Sequence, residues 1–299
     1  MNINAIDTLR SQRTVLEAEP ERRAELYREL VVEPLQPIWE TILARIPAAG
    51  GDRPDPVRLM GLYDPTGAPS EEEGLRALTL LERAGTWEGC VEAARQTIDR
   101  LRPEAHGIVP QDVLFTLALA DSHKFAEPPG YTGSGGTPGQ AIVIVWPSAY
   151  NIPRLPAIVA HELHHNVRLS YEPWTRDTTV GQYLVMEGLA EAFAAELYGE
   201  ERLGPWVSVL DEAGHEEVKP RYREALHVSG FNDIRGYMFG DLEGDAYGFA
   251  KKGLPPYAGY AVGYRIVTSY LRRSGKTAAE ATYLPWQDIV EGSGYLEEA

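Results

Sequence analysis

The 299-residue chain is 43% hydrophobic, enough to fill a sizeable core as one large domain or two small ones. Its 44 acidic against 28 basic residues leave a formal charge of -16, which repels phosphate backbones and anionic membrane surfaces and argues against nucleic-acid and membrane partners. A lone cysteine, Cys90, can close no internal disulfide, and no apolar run has the length of a signal peptide or of a membrane span; the expectation is a soluble, cytoplasmic protein with Cys90 in its core.

From Ile6 to about Ile46, apolar residues at helical spacing, including Leu26, Leu30, Leu35, Ile38 and Ile42, predict two helices broken near Glu19 and Pro20. Turn-rich stretches follow at 48–56 and 64–70. Further helices are expected at 71–84 and 87–102, so the first hundred residues or so read as mainly helical. The character changes after Pro103. Residues 113–119 and 141–146 are short, apolar, rich in β-branched side chains and bounded by turn formers, which predicts strands. Between them, GYTGSGGTPG at 130–139 lacks the Lys-Ser/Thr ending of a phosphate-cradling loop and reads as a flexible turn. Helices are expected at 153–168, containing HELHH at 161–165, and at 182–198, containing EGLAEAFAAEL. The remainder reads as helical, with Gly/Pro-rich interruptions at 229–248 and 253–256 and no internal repeat.

The chemistry is concentrated in HELHH. Each helical residue advances by about 100°, so His161, Glu162 and His165 share one face. Two imidazoles one turn apart can converge on one zinc ion, while the carboxylate lies beside them, placed to act on water and not to bind the metal. A catalytic zinc keeps three protein ligands and one open position, so a third ligand must come from elsewhere. The metzincin pattern is excluded, because Arg168 and Tyr171 stand where it needs Gly and His. Glu187, on the next strong helix, is the expected third ligand. Glu191, four residues on, is either its competitor or the group that holds the far nitrogen of a ligand histidine. Gly188, Ala190, Ala194 and Ala195 leave room for close helix packing. His164 lies on the other side of His161 and reads as a packing or hydrogen-bonding residue.

On these residues the chain resembles the YjaZ-like family of predicted zinc-dependent proteases, a gluzincin-type domain. The likeness covers roughly 110–299, through HELHHNVR at 161–168, MEGLAEAFA at 186–194, YMFGD at 237–241 and PPYAGYAVGYRIVTSYL at 255–271. It implies an α+β fold: a zincin-like metallopeptidase core with a small mixed sheet and an active-site helix, preceded by a mainly helical N-terminal region. The corresponding domains are 1–105 and 106–299, and the implied activity is peptide hydrolysis with one catalytic Zn2+.

In the expected mechanism Glu162 takes a proton from the attacking water and delivers it to the leaving amine, with peptide or protein as substrate. Tyr260 is the expected donor to the oxyanion, with Tyr264 one turn further on. His227 and Arg168 are weaker candidates for donor and carboxylate anchor, and His106, His123 and His215 have no spacing that recruits them. An aminopeptidase and a non-catalytic zinc-binding interaction module are the competing readings.

Overall fold

A computed structural model describes residues 1–44, 55–65, 71–127 and 129–297, with backbone alone for 242–247. Most of the two turn-rich stretches expected at 48–56 and 64–70 lies outside the described residues. The chain divides into two compact units, Met1–Gln96 with Val109–Asn166, and Thr97–Ile108 with Val167–Ala299. Each unit draws on both sides of residues 105 and 106. The architecture is mixed α+β.

The first unit is built on a sheet of β1 (Asn2–Ile6), β2 (Asp112–Leu119), β3 (Tyr131–Thr137) and β4 (Gln140–Val145), in the order β1-β2-β4-β3. The first three in that order are parallel, and β3 is antiparallel to β4. Helices α1 (Thr8–Leu16), α2 (Pro20–Tyr27), α3 (Gln36–Ala44), α4 (Pro56–Met60), α5 (Glu71–Arg83) and α6 (Thr86–Leu101) come before β2, and α7 (Leu155–Tyr171) follows β4. Units one and two share α6 and α7, whose ends fall in the second.

Two sequence expectations are corrected in this unit. Strand β1 runs to Ile6, where the sequence predicts the start of a helix that begins only at Thr8. NINAI is too polar and short to announce itself, and it becomes a strand by pairing with β2 from Asn2 opposite Asp112 to Ile6 opposite Thr116. Where β1 ends, the buried Gln12 side chain continues the ladder, donating to the Leu119 carbonyl at 3.1 Å and accepting from its amide at 2.8 Å. The second correction is larger: the expected flexible turn at 130–139 is mostly strand β3. Between α2 and α3 the helix passes through a wide turn at Arg28–Val32 and a tight one at Glu33–Leu35, as fits a segment where Pro34 and Pro37 supply no amide donor. Leu35, Ile38 and Trp39 pack there with Ala118, Ile142 and Ile144 in one apolar cluster.

The second unit is helical: α8 (Val180–Tyr198), α9 (Glu212–Ala225), α10 (Phe231–Tyr247), α11 (Ala258–Ser274), α12 (Ala278–Ala281) and α13 (Trp286–Ser293). Thr179 and Gln182 form a reciprocal cap at the start of α8. This helix is buried from Val180 to Ala194 except at Gln182, close to the pattern of an element enclosed on all faces. It meets α11 backbone to backbone. A Cβ on Gly188 would stand 2.2 Å from the Gly263 carbonyl oxygen, and one on Gly263 would stand 2.3 Å from that of Leu184.

Residues 231–247, expected to interrupt the helices, form α10 instead, bent at Gly240 (φ 74°, ψ -178°). Tertiary packing of Ile234 and Met238, both buried, outweighs the weak propensity of its glycines. Beyond the bend, the Asp241 carboxylate accepts from the amides of Lys252 at 2.6 Å and Gly253 at 2.9 Å. Burial works against its charge, but these amides outweigh burial and hold the carboxyl below its ordinary 3.8. No helix among the described residues is long and apolar enough to cross a membrane.

Gly263→Ala is expected to destabilise the protein by about 2–3 kcal/mol, a loss of several degrees in Tm by calorimetry, because neither helix backbone can yield. An unchanged Tm would mean that α8 and α11 are not in backbone contact. For Asp241, a depressed folded pKa means stabilisation that is complete above the unfolded value near 4 and lost as pH falls through the lower folded value. Asp241→Asn should therefore lower stability modestly at pH 7 in urea melts, since solvent screens so exposed a group, with the gap to wild type closing as pH falls through the folded value.

Candidate metal centre

The connection into α7 is held by one buried amide. Asn151 donates to the carbonyls of Trp146 at 2.8 Å and Pro129 at 3.1 Å and accepts from the Ser148 amide at 2.9 Å. The helix that follows is largely apolar, with Leu155, Val159, Ala160, Leu163 and Val167 buried. On it, His161 and Glu162 are half-buried and His165 is buried. The Nε2 atoms of His161 and His165 lie 2.9 Å apart, their rings at 90° to each other.

The ligand atoms of His161, His165 and Glu187 all lie within 4.8 Å of one another, and among the described residues no other group of three His, Cys, Asp or Glu side chains has this spacing. The donor chemistry fits a catalytic zinc: two imidazoles and a carboxylate, with no cysteine thiolate to close the site. Ligand atoms around tetrahedral zinc stand about 3.3 Å apart, near the 2.9 Å between the two Nε2 atoms. Glu187 is only 6% exposed, and a buried carboxylate requires a cation or donors beside it.

Tyr183 lies one helical turn before Glu187, and its phenol feels several charged and polar groups. Burial first, and then the charge of Glu187, push the phenol of Tyr183 well above its usual range, while the charge of Arg235 and a hydrogen bond from Tyr260 act in the opposite sense. Tyr260 is thus one hydrogen bond from Tyr183, which lies one helical turn before Glu187. Glu191 is buried too, but its carboxylate accepts from the Trp206 indole and is outside the three-residue group.

Glu162 meets strand β3. A Cβ on Gly133 would stand 2.2 Å from its Oε1, and a Cβ on Gly135 would stand 1.8 Å from its backbone oxygen. The glycines that looked like turn formers are where a strand crosses α7 with no side chain between. The buried Asn166 fastens the same strand, donating to the carbonyls of Gly135, Thr137 and Gln140 at 2.9, 2.9 and 2.6 Å and accepting from the Gly139 amide at 2.8 Å.

The remaining candidates are engaged elsewhere. His164 is fully buried and outside the three-residue group. The Tyr264 hydroxyl donates to Glu200 at 3.0 Å. Arg168 pairs with Glu172 and donates to the carbonyls of Thr282 and Leu284, binding chain segments and not solvent. The exposed His227 meets the ring of Trp286, the exposed His106 stacks on Tyr283, His123 is exposed, and the buried His215 hydrogen-bonds the Tyr295 hydroxyl at 2.6 Å. Asn166, Gly133, Gly135, Tyr183 and Arg235 were not anticipated. Alternating glycines inside a stretch that also holds Tyr131 and Thr132 were the available signal for β3. Nothing local marks Tyr183 or Arg235.

A family model described as "Predicted Zn-dependent protease (DUF2268)" matches residues 86–291. Protein YjfC of Bacillus subtilis (strain 168) is 36% identical over 298 residues, covering 98% of this chain and 99% of YjfC. Protein YjaZ of the same organism is 28% identical over 138 residues, 45% of this chain and 49% of YjaZ. No solved structure matches the chain.

Gly135→Ala is expected to lower Tm by several degrees, since its methyl meets backbone, while Gly133→Ala meets a side chain that can turn aside and should cost much less. Asn166→Ala leaves buried backbone groups unsatisfied and should cost about 3 kcal/mol, with faster amide exchange at Gly139. Equal Tm values for the two glycine variants would contradict the placement of β3 against Glu162.

Proposed function

The chain belongs to the family of predicted Zn-dependent proteases (DUF2268), and from that premise we propose that it is a zinc metallopeptidase of the gluzincin type, acting as an endopeptidase or oligopeptidase. The observation that carries the proposal is the grouping of His161, His165 and Glu187 as a three-ligand set, with Glu162 adjacent to it in sequence and outside it. The zincin-like character of the core is part of the same proposal.

A zinc ion held by these three side chains supplies Lewis acidity and makes water at the site a stronger acid. Glu162 accepts the proton from the attacking water and returns it to the amine nitrogen as the C–N bond breaks. The glycines of β3 leave the space that the Glu162 carboxylate occupies beside the strand. Tyr260 donates to the carbonyl oxygen as negative charge builds on it, using the hydroxyl it shares with Tyr183 when the site is empty of substrate.

Strand β3 supports a peptide as substrate. It is the last strand in the sheet order, so its outer edge pairs with no other strand among the described residues. An extended peptide can add to such an edge through main-chain hydrogen bonds. Bare glycines at 133 and 135 would let it pass close to Glu162. A cytoplasmic location agrees with the acidic charge and with Cys90, which is buried and whose thiol burial pushes up to about 12, far from reactivity.

The full chain should bind one zinc per molecule and cleave an unfolded protein. Glu162→Gln should keep the zinc and lose about 100- to 10,000-fold in kcat. Wild-type protein with no affinity for zinc would end this reading, and full activity in Glu162→Gln would remove Glu162 as the base. Blocked peptides should be cut as well as those with free amines, which an aminopeptidase would refuse.

A further inference from the structure

Arg235, on α10, is a cation in unusual company. Its guanidinium carbon lies 4.5 Å from the ring centroid of Phe231, 5.5 Å from Phe249 and 5.6 Å from Phe239. Among the described residues its buried Nε has no hydrogen-bond partner. Among the described residues no carboxylate pairs with it. The acids nearest in sequence are engaged: Asp233 by Lys252, and Asp241 by the amides of Lys252 and Gly253.

A guanidinium covered by aromatic rings loses water from its faces but keeps its planar N–H edge, the geometry that takes a carboxylate in two parallel hydrogen bonds. Leaving such a group without an anion is costly, and an arriving carboxylate relieves that cost. The position is also suggestive. Phe239, one of the three rings, lies 5.7 Å from the ring of Tyr260. Tyr260 in turn hydrogen-bonds Tyr183, and the charges of both Arg235 and Glu187 are felt at the Tyr183 phenol. Arg235 is thus joined through the Phe239 ring to Tyr260, the expected oxyanion donor.

We propose that Arg235 anchors a carboxylate of the peptide substrate and so makes this chain selective for acidic peptides, an inference that rests on the peptidase reading above. The overall field cannot produce that preference, because a net charge of -16 repels acidic peptides at long range. The preference therefore has to come from a local contact. The carboxylate belongs either to an Asp or Glu side chain or to a peptide C-terminus, and the two sources predict different specificities from the same contact.

The test measures binding, using the full-length Glu162→Gln variant loaded with zinc so that bound peptide is not consumed. The probes are fluorescein-labelled decapeptide pools, randomised over uncharged residues except for one position fixed as Glu or Gln, each made as C-terminal acid or amide. Fluorescence anisotropy should show at least about tenfold tighter binding when one of the two carboxylates is present, and the pool that shows it identifies the source. Adding Arg235→Met, which keeps an unbranched apolar stem among the three rings, should bring that ratio close to one while leaving affinity for the neutral pool within about threefold. Arg235→Lys keeps the charge without the fork, should give a reduced ratio, and serves if the Met variant does not fold. A ratio near one in the parent, or a ratio unchanged in the Arg235 variants, overturns the anchor. Cleavage of the neutral pool by wild type tests the peptidase reading separately: cleavage without discrimination sinks the anchor alone, and discrimination in binding without cleavage of any pool sinks hydrolysis alone.

Discussion

His161 and His165 bring their Nε2 atoms to 2.9 Å on a helix that is otherwise largely apolar, and most of what surrounds them keeps them there. Two neutral imidazoles so placed must share a proton or give both lone pairs to a cation. Glu187, nearly enclosed in α8, adds a charge that is expensive to bury alone. The ligand atoms of His161, His165 and Glu187 lie within 4.8 Å of one another, and the proposed zinc site rests on that grouping.

Glycine governs how closely the elements around these side chains approach. At Gly133 and Gly135 a strand lies against Glu162 with no room for a methyl group, and at Gly188 and Gly263 two helices touch through their backbones. The second contact sits one residue beyond Glu187 and one turn beyond Tyr260, so it sets the distance between a candidate ligand and a candidate donor. Asn166, directly after His165, ties strand β3 to the helix that carries both histidines. The site is therefore braced by groups that perform no chemistry, and small changes in them should be felt at Glu162.

How much of this was legible in the sequence follows from how local each feature is. HELHH states its own geometry, because i and i+4 on a helix must share a face, and the apolar runs of β2 and β4 are recognisable without a partner. Glu187 was reachable through its sequence neighbourhood: a long apolar helix with small residues beside two acids. Strand β1 was not legible, because NINAI is defined by pairing with residues 112–116, far along the chain. Strand β3 was misread, because its glycines serve a close crossing with α7 and resemble turn residues when viewed alone. Helix α10 was misread for a similar reason, since its glycines bend and pack a helix that buried Ile234 and Met238 hold together. Arg235 and Tyr183 owe their interest entirely to neighbours distant in sequence.

The central claim is that His161, His165 and Glu187 hold one zinc ion. Zinc-edge X-ray absorption on the purified full chain, together with zinc dissociation constants for Glu187→Ala and Glu191→Ala, tests it most directly. The account predicts two imidazole nitrogens and a carboxylate oxygen around one zinc, a large loss of affinity for Glu187→Ala, and little change for Glu191→Ala. Undiminished zinc binding in Glu187→Ala, or a metal shell without two imidazoles, would contradict it.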